Sequence, residues 1–513
     1  MTALNIMQQR NYIIFIAILL FSTLISCADL PKGATHERRQ AVKLNFLIEP
    51  IIEGDEIKLK FELKFQGNAH GNDTLVLPST WGGEAHLNKE ISNLVAKSKN
   101  TRILDTANPS LKKIVYPKNT LVHIAYELNH SNKANLNSVR PYYRPIIQRD
   151  HFHIIGETAL ILPLWDMKTP IKTQFTWKNI PTSWSLANSF GASNKTQIIN
   201  RPLADLKFAV YTGGDFRLYK KSIQGNELIV AIRDQWHFSD QDITELITQG
   251  LKAQRNFWKD HSTPYYLVSI IPSHKENGHY AGTSLTNSFS LFLSTDKGVT
   301  RTMKHLVMHE LFHNWNGNKM KRETPEELVF WFSEGFTEYY ARKLSLTSGL
   351  ITLADYVQGI NNVIYEYHTS SAKYATNTQI LGHFWNNSSV SRIPYIKGEL
   401  LALSWNHKIR NMQPGKTLQN LLQDIYSDST KQQRNVSNHF IETHLEKYLK
   451  EKTRHEMSAY IDQGHNITDL ASNLGPCVSL QKKKIGNKII PQYEIVQNQL
   501  EENASHCMAY FEE

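Results

Sequence analysis

Val42, Leu44, Phe46 and Ile48, and then Ile57, Leu59, Phe61, Leu63 and Phe65, place an apolar side chain on every second residue. A period of two turns one face of a strand inward, so these runs predict half-buried strands of an antiparallel sheet. Residues 122–128 and 171–177 continue the pattern, and Glu53-Gly54-Asp55 and Gly71-Asn72-Asp73 supply turn signals around the longer run. Residues 40–205 therefore read as a β-sandwich domain. From residue 206 the pattern becomes mixed. Ser239 precedes a helix whose broad apolar face carries Ile243, Leu246, Ile247, Leu251, Phe257 and Trp258, and 265–271 is a buried-type strand. Beyond 345 the spacing is helical, over 353–367, 398–409, 417–426 and 436–449, with short connections. The expectation is an α+β multidomain chain: an N-terminal β-sandwich (40–205), a mixed α and β domain (206–345), a C-terminal helical domain (346–465) and a small β-rich tail (466–513).

The strongest chemistry lies in 299–317, V-T-R-T-M-K-H-L-V-M-H-E-L-F-H-N-W-N-G, which contains H-E-x-x-H at His309, Glu310 and His313. On a helix, imidazoles four apart share one face and can hold a single metal ion. Thr300 or Thr302 can cap that helix, and Gly317 sits where a left-handed C-cap would end it. Glu310, on the flank of the face, is placed to hold and deprotonate a water on the metal. A third ligand is available in F-W-F-S-E-G-F-T-E-Y-Y-A: two helices side by side would bring Glu334 to the histidines and leave a fourth position for water. Glu338, one turn on, reads either as a carboxylate accepting the outer N–H of a ligand histidine or as a solvated helix carboxylate.

H-E-L-F-H-N-W-N-G followed by W-F-S-E-G-F-T-E-Y-Y resembles the gluzincin metallopeptidases, and among them the glycyl aminopeptidase family. A third block, R-I-P-Y-I-K-G-E-L-L, is similar to that family's Tyr-x-Lys-Gly segment. The resemblance implies a thermolysin-like catalytic domain, Zn2+ on His309, His313 and Glu334, a zinc-bound water activated by Glu310, and Tyr395 as the phenol that stabilises the oxyanion. It further implies a peptide substrate and, from H-Y-A-G-T-S-L-T-N-S-F-S-L-F-L, an edge strand that binds the substrate backbone and free amine, with Gly282 and Asn287 as contacts. The family's Gly-x-x-Glu type motif is incomplete here, since no Glu follows Gly282 in the segment. Glu338 is one candidate to stand in for it. Aminopeptidase activity is the expectation. The alternatives are an endopeptidase of the same clan and a non-catalytic, peptide-binding envelope lipoprotein.

Residues 1–26 read as a lipoprotein-type signal peptide: Arg10 precedes an apolar stretch too short to span a bilayer comfortably, and Leu24-Ile25-Ser26-Cys27 resembles a lipobox. An ordinary secretory signal with a chance cysteine is the alternative. On the lipoprotein reading Cys27 carries lipid, 27–39 is a tether, and the protein faces the periplasm from a membrane of the bacterial cell envelope. The formal net charge of +10 is spread along the chain, and no basic block interleaved with aromatics suggests a nucleic-acid groove. Cys477 and Cys507 could pair in an oxidising periplasm or remain separate thiols.

Overall fold

The computed structural model describes residues 42–54, 56–130, 140–273, 280–296, 298–450 and 452–512. The signal peptide, Cys27 and the tether expected over 1–39 lie outside the described residues.

Both alternating runs form strands, Leu44–Glu53 and Glu56–Gln66, with Gly54 in the turn between them at φ 62°. They lie inside a six-stranded sheet, ordered Thr196–Pro202, Pro170–Trp177, Leu44–Glu53, Glu56–Gln66, Leu121–Asn129 and Ile91–Ala96. Phe46, Phe61 and Phe65 project from it into one core with Leu75 and Ile114 of a second sheet and Phe152 of a third. The sandwich expectation therefore holds in outline, with two corrections. Leu44–Glu53 pairs parallel with Pro170–Trp177, so the large sheet is mixed rather than antiparallel. A period-two pattern reports which face is buried and carries no information on which strand lies alongside. The boundary at 205 also falls too early, because Val210–Gly214 pairs antiparallel with His151–Ile155 and extends this sheet region to 214.

A five-stranded sheet follows, ordered Arg217–Ile223, Asn226–Ile232, Tyr265–Pro272, Ser288–Leu293 and Tyr280–Leu285. Its three inner strands are parallel and buried, consistent with their continuous apolar runs. Asp240–Trp258 packs on it as a helix, with the Ser239 side chain accepting from the Asp242 N–H. The expected division at 345 does not separate two cores. Val230 of the sheet, Met308 and Phe336 of the motif segments, and Leu401, Leu421 and Phe440 of the later helices all belong to one apolar cluster.

Within that cluster Gly335–Thr347 crosses Ser388–Met412 at unusually close range. A Cβ on Gly335 would lie 2.3 Å from the Gly398 Cα, so glycine at this crossing lets two site-bearing helices touch backbone to backbone. The tail departs from expectation. The hairpin Val478–Ile485/Lys488–Ile495 is followed by a helix, Gln497–Glu512, and Cys477–Cys507 form a disulfide that ties helix to hairpin. That helix gave little periodic signal: it buries only Cys507 and Phe511, and Asn503 interrupts its dihedrals. No described helix is long and apolar enough to cross a membrane.

Candidate active site

Thr300 caps Arg301–Phe312 by accepting from the Met303 N–H. The helix ends at Phe312 rather than near Gly317, with His313 as its C-cap, still at helical dihedrals. The chain then turns sharply, and the His313 Nδ1–H donates to the Asn316 carbonyl at 2.8 Å. That bond fixes the tautomer and leaves Nε2 as the free lone pair. Gly317, at φ 134°, closes the turn beside the His313 ring. Asp260 anchors this turn from the far side by accepting from Trp315 Nε1 and Tyr426 OH, each at 2.7 Å, and from Lys319.

Glu334 links the short helix Phe330–Ser333 to Gly335–Thr347 without leaving helical dihedrals, at φ −90° and ψ −49°. Its Oε2 lies 3.1 Å from His313 Nε2 and 3.4 Å from His309 Nε2, and the two Nε2 atoms are 2.9 Å apart. Nitrogen and oxygen ligands about 2.0–2.2 Å from a tetrahedral Zn2+ are separated from one another by about 3.3 Å. Two histidines and a carboxylate forming such a triangle therefore fit this metal, with one position left open. Electrostatics point the same way. Burial pulls the His309 pKa down, but the hydrogen bond its ring donates to Glu334 and the charges of Glu338 and Glu310 outweigh it and carry it up to about 9. A negative well that holds a proton on this ring also suits a divalent cation. Burial works on Glu334 in the opposite sense, yet His313 and His309 hold its carboxyl well below the usual range.

Glu310 is 7% exposed and has no hydrogen-bond partner among the described residues. Burial pushes its carboxyl up, against the pull of His309 and His313. Tyr395 faces the same point, its ring centroid 6.1 Å from that of His309. Burial, followed by the charges of Glu334 and Glu338, raises its pKa well above the ordinary phenol value, so it keeps its proton as a donor. Ser388–Met412, the helix that carries Tyr395, starts about two turns before it, where the Asn387 side chain accepts from the Ser389 and Val390 N–H groups, and Pro394 sits inside it.

Three expectations need correction. Glu338 is 8% exposed rather than solvated, and its Oε1 stands 3.6 Å from His309 Nδ1, too far for a hydrogen bond. It lies behind the ligand, in contact with His305 Nε2 and 3.6 Å from Arg392 Nη1, and does not line the cleft, so it is not placed to receive a substrate amine. The segment with Gly282 is a hairpin, Tyr280–Leu285 and Ser288–Leu293, of which only the first is the edge strand. Gly282 does face the site, since a Cβ there would lie 2.5 Å from Glu310 Oε1. Asn287 does not: it occupies the hairpin turn at φ 48°, a conformation asparagine tolerates, and its carbonyl accepts from the Leu267 N–H.

The cleft in front of the triangle has a volume of about 560 Å3 and is lined by Gly282, Glu310 and Tyr395 together with Tyr143, Asn318 and Trp385. The last three are far apart in sequence and belong to no motif. His305 carried a usable signal, because 305, 309 and 313 are four apart on one helix.

Residues 302–387 match the family model described as M61 glycyl aminopeptidase. Over 182 residues the chain is 25% identical to leucine aminopeptidase 2-2 of Meyerozyma guilliermondii, covering 32% of this chain and 27% of that protein. Against leucine aminopeptidase 2 of Candida albicans it is 26% identical over 184 residues, with the same coverage of each. The chain thus spans about a quarter of the length of these curated relatives. Among solved structures, an aminopeptidase N family protein from Idiomarina loihiensis superposes with a TM-score of 0.72 at 17% identity, covering 87% of this chain and 81% of that one. An M1 zinc metallopeptidase from Deinococcus radiodurans gives 0.56 at 13% identity, covering 84% and 96%. A mutant of that protein, solved with Tyr-Ser-Ala, gives 0.55 at 12% identity over the same shares. The gluzincin resemblance of the first two sequence blocks is met by the family match, the third block lies beyond its end at residue 387, and the fold is shared with the aminopeptidase N family protein and the M1 zinc metallopeptidase.

Proposed function

We propose that this chain is a zinc-dependent peptidase that releases residues from the amino terminus of peptides. One observation carries the reading: His309, His313 and Glu334 converge on a single point that Glu310 and Tyr395 also face, beside the edge strand Tyr280–Leu285. His309, His313 and Glu334 would hold the Zn2+, which when bound supplies Lewis-acid polarisation and a more acidic water. Glu310 takes the proton of the attacking water and passes it to the nitrogen of the breaking C–N bond, a transfer that its unpartnered carboxylate leaves it free to make. Tyr395 donates its O–H to the carbonyl oxygen as negative charge develops there. The thermolysin-like character of the sheet and its two motif helices is part of this proposal. The names of the relatives support the amino-terminal preference. The test is turnover by the zinc-loaded protein on a library of peptides with free amines. One zinc per chain without release of any amino-terminal residue would overturn the reading.

The lipid anchor is a separate proposal and rests on the Leu24–Cys27 segment alone. Cys27→Ser should move the protein out of the detergent phase on phase partitioning. Unchanged partitioning counts against it.

A further inference from the structure

The formal net charge of +10 is spread along the sequence, but the fold gathers part of it at one end of the sandwich. Strand register identifies that end. Leu44 stands opposite Phe65 and Thr173, Gln66 opposite Leu121, and Pro170 opposite Pro202. The second sheet ends beside them: Val115 pairs with Asn72 and with Arg102, and the Tyr116 N–H donates to the Gly71 carbonyl at 2.9 Å. Lys97 joins through its N–H to the His123 carbonyl and Leu164 through its N–H to the Thr74 carbonyl, each at 2.8 Å.

Segments 42–44, 66–72, 97–102, 115–121, 164–172 and 200–202 meet there, and in them lysine and arginine outnumber acidic residues eight to one. Lys43, Lys97, Lys99, Lys118 and Lys168 are exposed and Lys172 is partly so, and none has an ion-pair partner among the described residues. The one acid, Asp166, is tied into its own turn by the Lys168 and Thr169 N–H groups at 3.0 and 3.2 Å. Just outside these segments, Asp73 is turned to Tyr116 OH and Trp165 Nε1, and Asp205 pairs with Arg201 at 3.9 Å. The opposite end of the same sheet has the reverse sign, because its first two strands are joined there through Glu53-Gly54-Asp55-Glu56.

Leu121 and Leu164 stand among the lysines, 56% and 60% exposed. Unpaired cations around exposed leucines match the boundary of a bilayer, where phosphates lie above hydrocarbon. A nucleic acid fits less well: Tyr116 and Trp165, in these segments, pack on Phe65 instead of standing out to stack a base. Val42 lies at this same end, and the sequence before it leads back to Cys27. We infer that this end of the sandwich is a docking surface for an anionic phospholipid bilayer, with the lysines on headgroup phosphates and Leu121 and Leu164 in the interfacial layer. The inference goes beyond the peptidase reading and does not need lipid on Cys27. A lipid there would act in the same direction, because the chain enters the sandwich on the side that meets the bilayer.

The experiment measures vesicle binding by the full chain carrying Cys27→Ser, so that no lipid contributes, on phosphatidylcholine vesicles with and without phosphatidylglycerol. The preference for anionic over neutral vesicles should be about tenfold or more in low salt and should shrink as salt rises. Lys118→Glu, Lys168→Glu and Lys172→Glu together should cut that preference to about twofold or less. The same change of charge placed on the exposed Lys220, Lys221 and Lys252, each to Glu, should leave most of it. Leu121→Ser with Leu164→Ser should weaken binding by about threefold or more even in high salt, where charge is screened. The thermal midpoint of each variant separates loss of the surface from loss of the fold. No anionic preference in the Cys27→Ser chain overturns the inference, as does an equal loss in the Lys220, Lys221 and Lys252 variant, which would assign the effect to net charge alone. Equally strong binding of a single-stranded oligonucleotide, lost in the Lys118, Lys168 and Lys172 variant, overturns the lipid assignment. A chain that shows the preference and cleaves no peptide keeps this inference and loses only the peptidase reading.

Discussion

Two groups of buried carboxylates in this molecule are treated in opposite ways. In the sandwich, Glu84 and Glu90 are closed off by Arg144, whose Nε and Nη1 reach them at 2.7 Å and 3.0 Å. Each of those negative charges has a guanidinium against it. Around the metal triangle, Glu310 and Glu334 have no lysine or arginine as a partner among the described residues, and only imidazoles face Glu334. Taking a carboxylate out of water costs several kcal/mol unless another charge or hydrogen bonds replace the hydration. The sandwich meets that cost internally. The site leaves it to be met by something that arrives, which marks the second group of carboxylates as functional and the first as structural.

The widest separation between the regions should come from deleting one carboxylate in each. Glu334→Ala should abolish stoichiometric zinc, measured by metal analysis, and activity with it. Glu310→Gln should keep the zinc while lowering kcat by about 10²–10⁴-fold, because it removes the base and not a ligand. Glu90→Ala should do neither: it should keep the zinc and lower unfolding stability by about 1–3 kcal/mol in denaturant titration, the worth of a lost hydrogen bond to a charged group. Full zinc in Glu334→Ala, or loss of zinc in Glu90→Ala, would break the comparison.

Tyr395 sharpens it from the neutral side. Burial, followed by the charges of Glu334 and Glu338, raises its pKa and keeps its O–H available as a donor at neutral pH. Tyr395→Phe should lower kcat by about 10²-fold or more with little change in KM, the signature of an interaction made chiefly in the transition state. A variant with normal kcat removes this phenol from the mechanism.

What the sequence made legible follows the same division. The triangle was readable because helical spacing alone puts His309 and His313 on one face, and because Glu334 sits in the next apolar segment. The sandwich strands were readable because one face is buried and the other wet. Their partners were not, and the parallel pairing of Leu44–Glu53 with Pro170–Trp177 has no local signature. Tyr143, Asn318 and Asp260 escaped for a related reason: Tyr143 reaches a carbonyl 139 positions away, and Asp260 accepts from a tyrosine 166 positions away. Asn287 was misread because an asparagine that tolerates positive φ in a turn looks, in sequence, like a polar contact on a strand.

The smallest effect, and the finest cut through the comparison, concerns Glu338, which belongs to both classes at once. It is buried like the structural carboxylates and has a guanidinium within 3.6 Å at Arg392, yet it also contacts His305 and stands 3.6 Å behind His309 Nδ1. That Nδ1 has no hydrogen-bond partner among the described residues. With no direct bond to His309, Glu338 acts on the ligand through its charge, which helps raise the basicity of the ring. Glu338→Gln keeps the shape and removes that charge, so it should weaken zinc affinity by about tenfold, the lower end for groups that support a metal ligand from behind, and leave kcat at saturating zinc nearly intact. Competition with a metal chelator measures the affinity. An affinity equal to that of the wild-type chain would place Glu338 with Glu84 and Glu90, its charge absorbed by His305 and Arg392. A loss as complete as that expected of Glu334→Ala would show instead that the carboxylate reaches the metal.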